Sequence, residues 1–272
     1  MTAVARDYNE LIDQAYEALE ETRFQEALDM GREALEADPE SAPGHYLCGA
    51  ALAEMRHAEE AIPYLRLALE LDPDYPDARF CLASAQFSTC HFTAARHELK
   101  KVLKSEKRLA DAHYSLGLCL EREGKFAAAD ESMARAVELA PDRFHAPFRV
   151  DRRQFDEIVL KAVALLPSYF RDYLKNIPVL VDDLPTEDLL FSVEPLLDPE
   201  IFGLFSGTPL LERSLMDTVP AEPDRIHLFQ RNIERYCPGR ERLLEEIRVT
   251  LLHEIGHAMG LDDEGLDKLG YA

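Results

Sequence analysis

The sequence predicts a chain of two parts, an all-α repeat array over residues 1–143 and a small α+β domain over residues 151–272. Three observations lead to this division. Small residues recur every 34 positions through the first half, which is typical of helical repeats. The second half contains helical and β-branched segments without such a period. A His-Glu-x-x-His sequence lies near the end of the chain, within a predicted helix. Residues 144–150 are predicted to be a junction or capping segment.

The composition of the 272-residue chain excludes some classes of partner. It has 52 Asp and Glu against 30 Lys and Arg, a formal net charge of −22. An acidic surface repels phosphate backbones and anionic lipid headgroups. We therefore expect neither nucleic acid nor a membrane as a partner, and favour a polypeptide.

The cysteines and the first residues predict the compartment. Residues 1–7 contain no apolar targeting segment, and no window of about 18 apolar residues occurs anywhere. The five cysteines are odd in number, lack metal-ligand spacing and fall mostly within the repeats. A free cysteine there is simply a small buried residue. These features predict a reducing cytoplasm.

The 34-residue period appears in several independent registers. Three of them are the series Ala27, Ala61, Ala95 and Ala129, the series Ala15, Gly49, Ala83 and Gly117, and the series Pro39, Pro73 and Pro141. Small residues suit close approaches between helices, and proline closes a helix, so each repeat is predicted to contain two helices. The repeats span residues 8–41, 42–75, 76–109 and 110–143. This pattern resembles tetratricopeptide repeats, which implies that the array recruits a substrate or partner protein.

One register consists of aromatic residues near the start of each first helix. Its members are Tyr46, Phe80, Tyr114 and Phe148, again 34 residues apart. The resemblance to tetratricopeptide arrays implies that this position faces a concave groove that binds peptides or partner helices. The alternative is that these rings pack between neighbouring repeats.

The second half has local signals for helices and strands. An Asp at position 151 and a Gln three residues later predict a capped helix that ends before residue 167. The remaining predictions are a short helix at 168–174, strands at 177–183 and 225–231, loop with short elements at 184–223, a long helix at 240–259, and a final short helix at 263–269.

The His-Glu-x-x-His sequence is the strongest candidate for chemistry. Residues four apart lie on one face of a helix, so His253 and His257 can present two imidazoles to one metal ion. Glu254, beside them, is placed to act as a general base. The spacing therefore predicts a Zn²⁺ site with a catalytic glutamate.

The third metal ligand is predicted to follow the helix. Gly260 suits a chain reversal with positive φ, and Asp263 lies ten residues after His253. Asp263 is the favoured ligand, with Asp262 and Glu264 as alternatives. Those that do not bind the metal are candidates to anchor an imidazole N–H.

From about residue 151 to 271, the chain resembles small bacterial proteins described as minimal zincin-type metallopeptidases. The matching stretches are 153–155, 162–167, 203–214, 223–226, the histidine motif itself and 266–271. The resemblance implies a compact α+β zincin core in which an aspartate is the third ligand. His227 is expected to lie exposed on its strand, or alternatively to approach the site. If the strand at 225–231 is an edge strand, it can hold substrate as an added strand.

The predicted function is a cytoplasmic, zinc-dependent peptidase with a tetratricopeptide module that recruits substrate or partner. The alternative from another class is a non-catalytic adaptor whose second domain is a metal-binding cap. Glu254 favours the enzyme, because a purely structural metal site needs no general base. Another metal-dependent hydrolase also fits the motif.

Overall fold

The computed structural model describes residues 7–105, 108–193, 196–207, 223–261 and 265. The chain forms two compact units, Met1–Phe144 and His145–Ala272. In the described residues, no helix is long and apolar enough to cross a membrane.

The described part of the first unit consists of helices that pair in sequence order, which confirms the predicted helical repeats. They are α1 (Tyr8–Glu20), α2 (Phe24–Ala37), α3 (Ala42–Glu54), α4 (Ala58–Leu71), α5 (Pro76–Ser88), α6 (Phe92–Val102), α7 (Leu109–Arg122) and α8 (Phe126–Leu139). The alanine series is fully buried: Ala27, Ala61, Ala95 and Ala129 each have 0% exposure. The 34-residue period therefore marks the helix contacts of the array.

Two glycines of the repeat register lie where paired helices approach closely. A Cβ on Gly49 would be 2.6 Å from Cγ of Leu65, and one on Gly117 would be 2.7 Å from Cγ of Met133. Both distances are shorter than real Cβ contacts, so any larger residue would force the helices or side chains to move. The need for small residues at this register is a packing constraint.

The second unit places helices against a small sheet. Its elements are α9 (Arg152–Leu165), α10 (Ser168–Leu174), β1 (Val179–Asp182), α11 (Glu187–Leu190), β2 (Gly203–Ser206), β3 (Arg225–Phe229), α12 (Gln230–Arg235) and α13 (Arg240–Ala258). In the described residues, the strand order is β1-β3-β2. β3 pairs in parallel with β1 and antiparallel with β2.

The local sequence signals predicted most of these elements. Both halves of the capping box are present at α9, since the Asp151 carboxylate accepts from the Gln154 N–H at 2.8 Å and the Gln154 side chain accepts from the Asp151 N–H at 3.1 Å. α10, β1, β3 and α13 lie where they were expected. The second predicted strand ends at Phe229 rather than 231, because Gln230 begins α12. The final helix predicted at 263–269 falls almost entirely outside the described residues.

The stretch at 184–223 was expected to be loop with short elements, and β2 within it was not predicted. This strand has only four residues and begins with a glycine, so its local β signal is weak. Its pairing depends on β3 and on contact with α13 instead. Asn232 further fixes the segment leading into β2, since its amide donates to the carbonyls of Pro199 and Ile201 at 3.0 and 2.7 Å.

The core of this unit lies between α13 and one face of the sheet. On α13 the fully buried residues include Leu243, Ile247, Leu251 and Ile255, and on β3 they are Ile226 and Leu228. Phe155 and Ile158 of α9 join the same cluster. Burial of so many large side chains fixes how α13 is rotated about its axis, and thereby where its histidines point.

Candidate functional site

The two motif histidines converge at the end of α13. Nε2 of His253 and Nε2 of His257 are 3.0 Å apart, and the rings meet edge to face with centroids 4.5 Å apart. Two nitrogens bound to one tetrahedral zinc at about 2.1 Å would be about 3.4 Å apart. The pair is therefore nearly arranged as two ligands of one ion.

A backbone carbonyl orients one of these rings. Nδ1 of His257 is 3.0 Å from the carbonyl oxygen of Leu261. Because a carbonyl only accepts, Nδ1 donates the proton, and the neutral ring then presents the lone pair of Nε2 toward His253. Gly260 makes the reversal that brings this carbonyl back, with φ of +87°, and the Leu261 N–H donates to the Gly256 carbonyl at 3.0 Å. The positive φ predicted for Gly260 is thus observed, and the donor chemistry fits zinc.

The predicted third ligand falls outside the structure's described part. Asp263, Asp262 and Glu264 are not among the described residues, so their place at the site remains a prediction. Within the described residues, no group of three or more His, Cys, Asp or Glu side chains is arranged to hold a metal ion. Of the predicted ligands, the structure describes His253 and His257.

The predicted general base is buried against β2. Glu254 has 6% exposure, and its Oε2 accepts a hydrogen bond of 2.6 Å from the backbone N–H of Phe205. A backbone donor at this distance stabilises the charged carboxylate and fixes its orientation. The sequence did not predict this contact. The signal that was available is Gly203, two residues before Phe205, which permits close packing on the helix.

The structure bears on two expectations about β3, namely its position in the sheet and the place of His227. It is the central strand of the described sheet, paired on both sides, so it offers no edge for an added substrate strand. Its His227 points to the face opposite Ile226 and Leu228, because side chains alternate along a strand. There Nδ1 of His227 lies 3.0 Å from a carboxylate oxygen of Asp182. His227 therefore lies away from the histidine pair on α13.

The four aromatic residues of the 34-residue register differ in their surroundings. Tyr46 is buried, with 5% exposure, and its ring lies between Tyr16 and Tyr75, with centroid distances of 6.0 and 4.9 Å. Packing is the better explanation for Tyr46. Phe148 lies in the second unit, where it packs partly buried against the core.

The two middle positions of that register are each covered by a residue from the following repeat or turn. The guanidinium of Arg108 lies over the Phe80 ring at 5.1 Å, and the Phe144 ring stacks on Tyr114 with centroids 5.0 Å apart. Both remain partly accessible. Their role in a groove stays a prediction.

A charged cavity opens near these positions. Its volume is about 630 Å³, and its lining includes Asp77, Arg108, Asp111 and Arg143. Arg108 forms an ion pair with Asp77, and Arg143 forms one with Asp111. Each repeat junction there therefore presents both a cation and an anion at its surface.

Protein-family models match stretches in both halves of the chain. Tetratricopeptide repeat models match residues 12–76, 52–116 and 110–143. A model described as zincin-like metallopeptidase matches residues 174–271, which include the histidine pair, Glu254 and β2. Comparison with curated protein sequences gave no match.

Solved structures similar to this chain are tetratricopeptide proteins. MamA from Desulfovibrio magneticus RS-1 is 23% identical, covering 51% of this chain and 78% of its own, with a TM-score of 0.45. YrrB, described as a tetratricopeptide protein with an unusual peptide-binding site, is 26% identical over 47% of this chain and 66% of its own, with a TM-score of 0.42. A thermophilic tetratricopeptide protein of Thermus thermophilus is 20% identical over 50% and 75%, with a TM-score of 0.44.

Proposed function

We propose that this chain, which joins tetratricopeptide repeats to a zincin-like metallopeptidase domain, is a zinc-dependent peptidase whose repeats recruit the substrate or a partner protein. The observation that best supports the proposal is the convergence of two imidazole nitrogens beside a buried glutamate. The Nε2 atoms of His253 and His257 are 3.0 Å apart, and Glu254 directly follows His253 on the same helix.

In this proposal, Nε2 of His253, Nε2 of His257 and a carboxylate oxygen of Asp263 hold the zinc ion. When bound, zinc supplies a Lewis acid and lowers the pKa of bound water. Glu254 takes up the proton of the attacking water on its carboxylate and returns it to the nitrogen of the leaving amine. Leu261 keeps His257 in the required tautomer through its carbonyl.

The repeat array is proposed to bring polypeptides to the catalytic domain. Tetratricopeptide repeats present extended surfaces built from neighbouring helix pairs. The net charge of −22 favours basic or apolar segments. The paired charges of Asp77 with Arg108 and of Asp111 with Arg143 are candidate contacts for a peptide's backbone or charged side chains. We further propose a cytoplasmic location, in which the five free cysteines stay reduced.

The first test is zinc affinity, measured by competition with a chromogenic chelator. His253→Ala and His257→Ala are expected to weaken zinc binding by more than about a hundredfold. The matched control is His227→Ala, because that histidine is bonded to Asp182 on the opposite face of the sheet. If His253→Ala and His257→Ala bind zinc as tightly as His227→Ala does, the proposed metal site is wrong.

The second test is peptide cleavage. Zinc-loaded wild type and Glu254→Gln are incubated with a peptide library made from a bacterial proteome, and new termini are identified by mass spectrometry. Cleavage by the wild type is expected to fall by about 10²- to 10⁴-fold in the variant. Zinc binding without any cleavage would instead support the adaptor, with the second domain as a metal-binding cap.

A further inference from the structure

The contact between β2 and α13 is unusually close at one residue. A Cβ on Gly203 would lie 2.7 Å from Cγ2 of Thr250, 3.1 Å from Cγ of Glu254 and 3.0 Å from the carbonyl oxygen of His227. Thr250 is one helical turn before Glu254, so both side chains contact the backbone of β2 at Gly203. Only glycine leaves room for β2 to reach the glutamate.

The backbone N–H that meets Glu254 has no role in pairing β2 with β3. The Phe229 N–H donates to the Phe202 carbonyl at 2.8 Å, so residue 202 faces β3. In an antiparallel ladder the facing residues alternate, which puts residues 203 and 205 on the outward side. The outward N–H of Phe205 instead donates to Oε2 of Glu254 at 2.6 Å.

We propose that β2 is a positioning element for catalysis, in which Gly203 provides the close approach and the Phe205 N–H fixes the Glu254 carboxylate. This inference rests on the proposed peptidase function. A glutamate has three side-chain torsions, and the hydrogen bond to Oε2 selects one orientation of its carboxylate. A fixed base lowers the barrier because no reorientation is needed in the transition state.

The main test compares Phe205→Pro with Phe205→Ala. Both variants lose the ring, but only proline removes the N–H, and a proline whose missing N–H faces outward is tolerated in a strand at an edge. We expect kcat of Phe205→Pro to be about tenfold to a hundredfold below that of Phe205→Ala, with KM and zinc content alike in the two variants. Equal kcat values in the two variants would overturn the positioning role.

A second pair of variants tests the close approach. Gly203→Ala is expected to lower kcat because the new Cβ displaces Thr250 and Glu254. Adding Thr250→Ser should restore part of the loss, since serine lacks Cγ2 yet keeps the hydroxyl that donates to the Glu246 carbonyl at 2.8 Å. Unchanged kcat in Gly203→Ala would contradict the argument.

A third measurement does not depend on peptidase activity. In metal-free protein labelled with [¹⁵N]phenylalanine, hydrogen exchange of the Phe205 amide should be about tenfold or more slower in wild type than in Glu254→Ala. Equal exchange rates of the Phe205 amide in wild type and Glu254→Ala would show that the hydrogen bond to Glu254 does not form. If the amide is protected but the wild type cleaves no peptide, the proposed function fails and the positioning role falls with it. If the wild type cleaves and the proline and alanine variants match, only the positioning role fails.

Discussion

Replacing Gly49 by alanine tests the packing of the repeat array. Gly49 lies in the interior of α3, where alanine alone would stabilise the helix by about 1 kcal/mol. The new Cβ, however, would lie 2.6 Å from Cγ and 2.9 Å from Cδ2 of Leu65, which is fully buried in α4. Overpacking of this kind costs about 1–3 kcal/mol. We therefore expect Gly49→Ala to lower the free energy of unfolding by about 1 kcal/mol net.

Gly117 provides a matched comparison two repeats later. A Cβ there would meet Cγ of Met133 at 2.7 Å and Cε at 3.0 Å. Methionine is unbranched and adapts more easily than leucine, so the loss in Gly117→Ala should be smaller than in Gly49→Ala. The same reasoning predicts that Leu65→Met restores part of the stability of Gly49→Ala.

The assay is urea unfolding of the full chain followed by circular dichroism at 222 nm, with the four variants measured side by side. A double-mutant cycle between positions 49 and 65 gives the coupling free energy, which should exceed about 0.5 kcal/mol for residues in contact. If Gly49→Ala is instead more stable than wild type by about 1 kcal/mol, helix propensity alone decides the outcome and the packing argument is refuted.

Three further predictions concern stability and reactivity. Asp151→Ala should lower unfolding stability by about 1 kcal/mol through loss of the α9 cap, whereas Asp156→Ala, exposed on the same helix, should have little effect in the same denaturation assay. Burial raises the pKa of Glu234, so the folded unit binds that proton more tightly than the unfolded chain does. The Tm of wild type relative to Glu234→Gln should accordingly fall as pH rises from about 4 to about 7, and a rise would contradict the sign. Burial also raises the pKa of Cys119 and Cys237 to about 12, so iodoacetamide at about pH 8 should modify both far more slowly in folded than in unfolded protein, as measured by mass spectrometry.

Features set by nearby residues were predictable from the sequence. The repeat registers gave the helix pairs of the array because helix contacts require small residues at fixed intervals. The capping box located the start of α9 because both of its hydrogen bonds join residues three apart. The histidine pair was predictable for the same reason, since residues i and i+4 share a helix face and Gly260 readily adopts the positive φ of the reversal that follows.

Features set by distant residues were not predictable. The Phe205 N–H and Glu254 are 49 residues apart, and their contact depends on how β2 docks against α13. The aromatic register shows the same limit, because its members look alike in the sequence but have different neighbours. Tyr46 is buried between Tyr16 and Tyr75, whereas Phe80 is covered by Arg108.

The peptidase proposal is tested most directly by hydrolysis of a single peptide, chosen from the library cleavage sites, with protein that contains one zinc ion per chain. We predict that Glu254→Gln retains its zinc and has a kcat at least about a hundredfold below that of wild type. A variant that keeps its zinc and hydrolyses the peptide at the wild-type rate would contradict the assignment of Glu254 as the base and, with it, the proposed mechanism.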